Sequence, residues 1–192
     1  MFRTRSILAA MIGGIVLLLS GPNAFAQETV SVGGTSVVLL RPHAPRASVI
    51  LMPGGDGSIN AGPGGAIGRL KANQLVRTRN AYLAHGLAVL VIDARTDLSS
   101  AVRYMAAIKR PVTGDAPSRG TLRADESIAQ GARPDALVLT SGFLSAESGS
   151  GQNVESILGS ASALPRTLVI HHKQDACRST LPAGVDPFIK WA

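Results

Sequence analysis

The stretch Gly114-Asp115-Ala116-Pro117-Ser118-Arg119-Gly120-Thr121-Leu122 decides how this chain is read. A serine sits in a tight, Gly-flanked turn. Pro111-Val112 makes a short apolar approach, and a helix-compatible run follows from Thr121 to Gln130. A strand, a sharp turn and a helix in that order lift a serine hydroxyl to the end of a sheet, and the residue two after it must be small. Gly120 meets that demand; two before the serine, where the usual pattern has Gly, stands Ala116. An ordinary polar turn can have the same three letters, so the surrounding order decides between the two readings.

Outward from this turn, strands alternate with helices. Glu28–Val32 and Thr35–Arg41 flank Gly33-Gly34 as a hairpin. Ala47–Met52 and Leu87–Ile92 are short continuous apolar runs, as buried parallel strands are. Residues 70–85 and Leu98–Ile108 have helical spacing, with Leu75, Tyr82 and Leu83 on the apolar side of the first and Gly86 as its stop. Ala136–Thr140 and Thr167–His172 read as later strands, with a short helix within Val154–Ala163 and a short tail after the last strand. Pro111–Pro117, with two prolines and a glycine, is poor material for a central strand. The rhythm predicts an α/β fold: a mostly parallel sheet flanked by helices, with an N-terminal β-hairpin.

The chain has 192 residues. Arg3 and Arg5, the apolar run Ile7–Leu19 and Ala24-Phe25-Ala26 have the pattern of a secretory leader, with cleavage expected before Gln27. The run is shorter than the roughly 20 residues of a bilayer span, which argues against an uncleaved anchor. Residues 1–26 are thus read as a signal peptide and 27–192 as one domain, exported to the periplasm or beyond, with no membrane attachment after cleavage. The formal charge is +7, but only Lys109-Arg110 are adjacent and aromatics are few. Nucleic-acid surfaces cluster their charge, so the basic residues read as a solvated surface.

Sites in such sheets form at the carboxyl ends of strands. Three stretches fall there. Pro53-Gly54-Gly55-Asp56-Gly57 can turn backbone N–H groups toward a substrate oxygen, or be a flexible loop; it lacks the spacing of a phosphate loop. The Ser118 turn is the second. The third is His171-His172-Lys173-Gln174-Asp175-Ala176-Cys177. Adjacent histidines on a strand point to opposite faces, so one is expected in the core and one in solvent, and they do not share a metal ion. Asp175 reads as a relay acid or as a turn residue.

On Ser118-Arg119-Gly120-Thr121-Leu122 and Val169-Ile170-His171-His172…Asp175-Ala176-Cys177, the chain resembles small secreted bacterial members of the α/β-hydrolase superfamily, over roughly residues 36–192. The resemblance implies Ser118 as nucleophile, Asp175 as triad acid, and backbone N–H groups of Gly54, Gly55 and Arg119 as the oxyanion hole. It implies hydrolysis of a small ester or amide substrate through an acyl-enzyme, with no cofactor and no metal. The sequence departs from the family's pattern in one respect. The family's catalytic His follows the acid after one more helix and strand, whereas His43, His85, His171 and His172 all precede Asp175. His172 is the one candidate for a substitute base. The expectation is therefore a chain lacking the last strand and the general base, weak or inactive as an enzyme, with an open sheet edge available for association. The lone Cys177 would pair in longer relatives with a cysteine in the missing segment. A non-catalytic exported binding protein on the same fold is the alternative.

Overall fold

The structure, a computed structural model, describes residues 26–192; the expected leader lies outside the described residues except for Ala26. A seven-stranded sheet carries the chain. In sequence the strands are β1 (Ala26–Val32), β2 (Thr35–Arg41), β3 (Ala47–Leu51), β6 (Leu87–Val91), β7 (Val112–Pro117), β8 (Ala136–Thr140) and β9 (Arg166–Ile170). A two-stranded ribbon of β4 (Ala61–Gly62) and β5 (Ala66–Ile67) lies within the stretch read as a plain glycine-rich loop. The spatial order is β1-β2-β6-β3-β7-β8-β9. The first two pairings are antiparallel and the rest parallel. The predicted hairpin and parallel sheet are both present.

Continuous apolar strands bury both faces. Val49, Leu51, Val89 and Val91 pack with Leu75, Val76 and Leu83 of α1 (Gln74–Ala84). Ile50, Met52, Leu90 and Ile92 point the other way, toward α2 (Leu98–Ile108) and α3 (Gly120–Ala129). Helix α1 starts four residues later than the spacing predicts, because Leu70 takes a positive φ of 55° and Asn73 caps the helix by accepting from the Leu75 N–H at 3.1 Å.

Two expectations are corrected. Val112–Pro117 is a central strand, paired with both β3 and β8. Its prolines do no harm because of where they fall. Pro111 precedes the strand, and Pro117 lies past Leu51↔Asp115, the last pair with β3, at the end of the strand. Gly114 leaves room that Met52 and Leu137 fill; a Cβ there would lie 3.1 and 3.2 Å from their side chains. The residues after the last strand also form more than a tail. Helix α5 (Val185–Trp191) buries Phe188, whose ring lies 5.7 Å from that of Trp191, and the preceding turn docks on residues 145–148 through Leu181 N–H to Ser148 O at 3.0 Å. Between them α4 (Val154–Leu158) packs on α3.

The sheet is not evenly covered. On the α1 side, among the described residues, the ends of β8 and β9 are left open: Leu168 and Ile170 are 55% and 50% exposed. Among the described residues β9 pairs only with β8. No described helix is long and apolar enough to cross a membrane.

Candidate active site

Ser118 follows the central strand β7 in a left-handed conformation, with φ of 51°. A non-glycine residue held there costs on the order of 1–3 kcal/mol, so the surroundings must impose it. They do so from both sides. The Ser118 N–H donates to Thr140 O at 3.0 Å, continuing the ladder to β8. Its carbonyl accepts from the Thr121 N–H at 3.0 Å and the Thr121 hydroxyl at 2.7 Å, which closes the turn into α3. Thr121, fully buried, in turn accepts from the Phe143 N–H at 3.2 Å. Gly120 is required because a Cβ would meet Met52 O at 2.6 Å. The serine is half-buried at the crest of the sheet, and Arg119 beside it is exposed.

The glycine loop stands next to this turn. A Cβ on Gly54 would lie 3.4 Å from Ser118 Cβ and 3.0 Å from Pro117 O, so the Gly54 backbone faces the serine. Among the described residues the N–H groups of Gly54, Gly55 and Arg119 donate to no protein acceptor. The carbonyls from Pro53 to Gly55 are all engaged. Gly54 O accepts from the Gly57 N–H at 3.2 Å, Gly55 O accepts from Arg123 at 3.1 Å, and Pro53 O accepts from Arg123 as well. Downstream, Asp93 fixes the loop, accepting from the Ile59 N–H at 3.1 Å and the Ser58 hydroxyl at 3.3 Å. Burial pushes the Asp93 carboxyl up, but the Arg95 N–H and guanidinium, and then the Ile59 N–H, outweigh it and hold the group below the usual carboxylate range.

The acid stretch lies two strands away. Ser141, itself at φ 43°, donates its N–H to Ile170 O at 2.8 Å, so positions 118, 141 and 171 step across the ends of β7, β8 and β9. Neighbouring strands are about 4.8 Å apart, which sets the Asp175 loop roughly 10 Å along the sheet from Ser118. Asp175 accepts from the Cys177 N–H at 3.0 Å and the Thr180 hydroxyl at 3.0 Å. The Cys177 bond first, then Thr180, Ser141 and His171, hold its carboxyl below the usual range against a small desolvation cost.

The histidine pair splits as adjacent strand-end residues must. The His171 side chain is only 5% exposed; its Nε2 lies 2.8 Å from Thr180 O and 3.7 Å from Asp175 Oδ2. With the proton on Nε2 for that carbonyl, Nδ1 is an acceptor, and it is buried without a partner among the described residues. His172 is exposed and its Nδ1 accepts from the Gln174 N–H at 3.2 Å. Among the described residues no hydrogen bond joins either ring to Ser118. Cys177 is exposed and unpaired. The structure thus brings Ser118, Gly54, Gly55 and Arg119 together, sets Asp175 on the same rim, and leaves His172 turned to solvent. Arg123, Asp93 and Ser141 escaped the sequence reading, since each acts by approaching a loop distant in the chain.

The sheet order, the helices on both faces and the turn at the end of β7 define an α/β-hydrolase-like fold. Solved structures agree. The chain is similar to the esterase domain of a Rhodothermus marinus protein, with TM-score 0.60 and 14% identity over 88% of this chain and 83% of that one. It is similar to carboxyl esterase 2 from Tuber melanosporum, with TM-score 0.59 and 13% identity over 90% and 76%. It is also similar to TT1662 from Thermus thermophilus, with TM-score 0.58 and 18% identity over 86% and 82%. At these identities the likeness is one of fold. No family model and no curated protein matches the sequence.

Proposed function

We propose that the chain is an exported serine hydrolase-like protein that cleaves small ester or related acyl bonds through Ser118. The Ser118 Oγ attacks the carbonyl carbon, the alcohol leaves with the serine's proton, and water then releases the acid from the acyl-enzyme. The N–H groups of Gly54, Gly55 and Arg119 stabilise the oxyanion formed in each step. The observation that carries this reading is the strained φ of Ser118 beside the Gly54 and Gly55 N–H groups, which among the described residues donate to no protein acceptor. Asp175 is the acid on the same rim.

Turnover is expected to be low. No histidine is bonded to Ser118, and loss of one triad member leaves about 10³–10⁴-fold acceleration over water from the oxyanion hole and binding. The same observation favours the second reading, a binding protein that uses the cleft without chemistry. Turnover of short p-nitrophenyl esters decides between them: slow hydrolysis abolished by Ser118→Ala supports the enzyme, and none above buffer supports the binder. Export is proposed on Arg3, Arg5, Ile7–Leu19 and Ala24-Phe25-Ala26; a mature protein that does not begin at Gln27 would overturn that cleavage site.

A further inference from the structure

We propose that Arg123 is a positioning residue that sets the oxyanion hole, resting on the reading of Ser118 as the nucleophile. Arg123 lies on α3, five residues after the serine, and reaches back to a loop some seventy residues earlier. One nitrogen of its guanidinium donates to Gly55 O at 3.1 Å, and another donates to Pro53 O.

A trans peptide is planar, so the carbonyl of one residue and the N–H of the next point in opposite directions. The only cis bond among the described residues is Arg110-Pro111. Drawing Pro53 O toward Arg123 therefore turns the Gly54 N–H the other way, and Gly54 is the residue whose backbone faces Ser118. Drawing Gly55 O toward Arg123 turns the Asp56 N–H in the same manner. The Gly54 O to Gly57 N–H turn at 3.2 Å orients the Gly55 N–H between them. A loop of this composition is free to flip its peptides, and a flipped Gly54 would present a carbonyl to an oxyanion. The guanidinium fork removes that freedom.

The chain makes room for the fork. Gly57 has φ of 71°, and a Cβ there would lie 2.6 and 2.7 Å from the Arg123 guanidinium. Arginine is suited to this task and lysine is not. Two carbonyls at fixed separation need two donors in a rigid plane, whereas an ammonium is a single point on a flexible stem. Arg123 touches no reacting atom in this scheme; it acts through the loop.

The test measures the rate of Ser118 modification by a fluorophosphonate, and ester turnover, in the full chain and in Arg123→Lys, Arg123→Met and Arg123→Ala. The proposal expects labelling at least tenfold slower in Arg123→Met, partial recovery in Arg123→Lys, and ester kcat falling with KM within twofold of the parent. Millimolar guanidinium should restore labelling at least fivefold in Arg123→Ala, where the fork's space is vacant, and not in Arg123→Met. A purely structural role would lower the melting temperature and the active fraction without that rescue. Labelling in Arg123→Met at the parent's rate overturns the proposal and leaves Ser118 standing. No labelling of the parent chain overturns both.

Discussion

The two halves of the candidate site are built differently. The serine half sits over the centre of the sheet, where β3, β7 and α3 converge and every carbonyl of the glycine loop from Pro53 to Gly55 has a donor. The acid half hangs from β9, the end of the sheet order, whose outward side chains are about half exposed. Position explains the contrast. A strand with neighbours on both sides and helices over both faces can hold a residue at φ 51°, because any relaxation would break contacts on all sides. An edge strand has only one neighbour to set the loop that follows it. Rigidity is therefore concentrated at the Ser118 turn, and the Asp175 loop is held by a local turn.

The contrast predicts a graded set of effects. Gly120→Ala should be the most damaging, because the new Cβ meets a backbone carbonyl at 2.6 Å and neither element can move alone. About 2–3 kcal/mol of stability should be lost in urea denaturation, together with Ser118 reactivity. Asp175→Ala should cost about 1 kcal/mol, since two bonds to a partly buried carboxylate are lost. Asp175 has a lowered folded-state pKa, so its contribution is present above the unfolded value near 4 and lost as pH falls through the folded one. If this substitution proves more destabilising than Gly120→Ala, the two halves have been ranked wrongly.

Asp125 supplies a pH test on the serine half. It is fully buried on α3, and among the described residues neither carboxylate oxygen has a partner. Burial first, and then Glu126, raise its pKa well above the usual value. Ionisation in the unfolded chain begins near pH 4 while the folded chain keeps its proton, so this group makes stability fall as pH rises above about 4. Asp125→Asn should flatten that slope in a series of urea midpoints from pH 4 to 8; an unchanged slope would show that Asp125 ionises freely in the fold. The smallest effect is expected at the edge. Leu168→Lys should change stability by less than about 0.5 kcal/mol, because Leu168 is already 55% exposed, yet it should reduce self-association in light scattering.

Much of the architecture could be read from the chain because its core strands are unambiguous. Ala47–Met52 and Leu87–Ile92 are apolar on both faces, and only a covered parallel sheet buries such runs. Val112–Pro117 could not be read that way, since Gly114, Asp115 and Pro117 have weak strand preference of their own. Its place between β3 and β8 makes it a strand, and that is tertiary information. Helix α5 was hidden for the opposite reason: seven residues with a proline give little periodicity, and only the burial of Phe188 reveals it. At the site, Ser118 and the glycine loop announced themselves through local turn chemistry. Arg123 did not, because one arginine among several on the chain gains its role only when α3 packs behind residues 53–57.

The proposed Ser118 nucleophile and its preset oxyanion hole share one direct test. The direct measurement is intact-protein and peptide mass spectrometry after exposure of the full chain to a fluorophosphonate. The expected result is a single adduct mapped to Ser118, absent in Ser118→Ala and slowed by the Arg123 substitutions. A chain that stays unmodified under conditions that label a reference serine hydrolase, or an adduct that persists in Ser118→Ala, would contradict it.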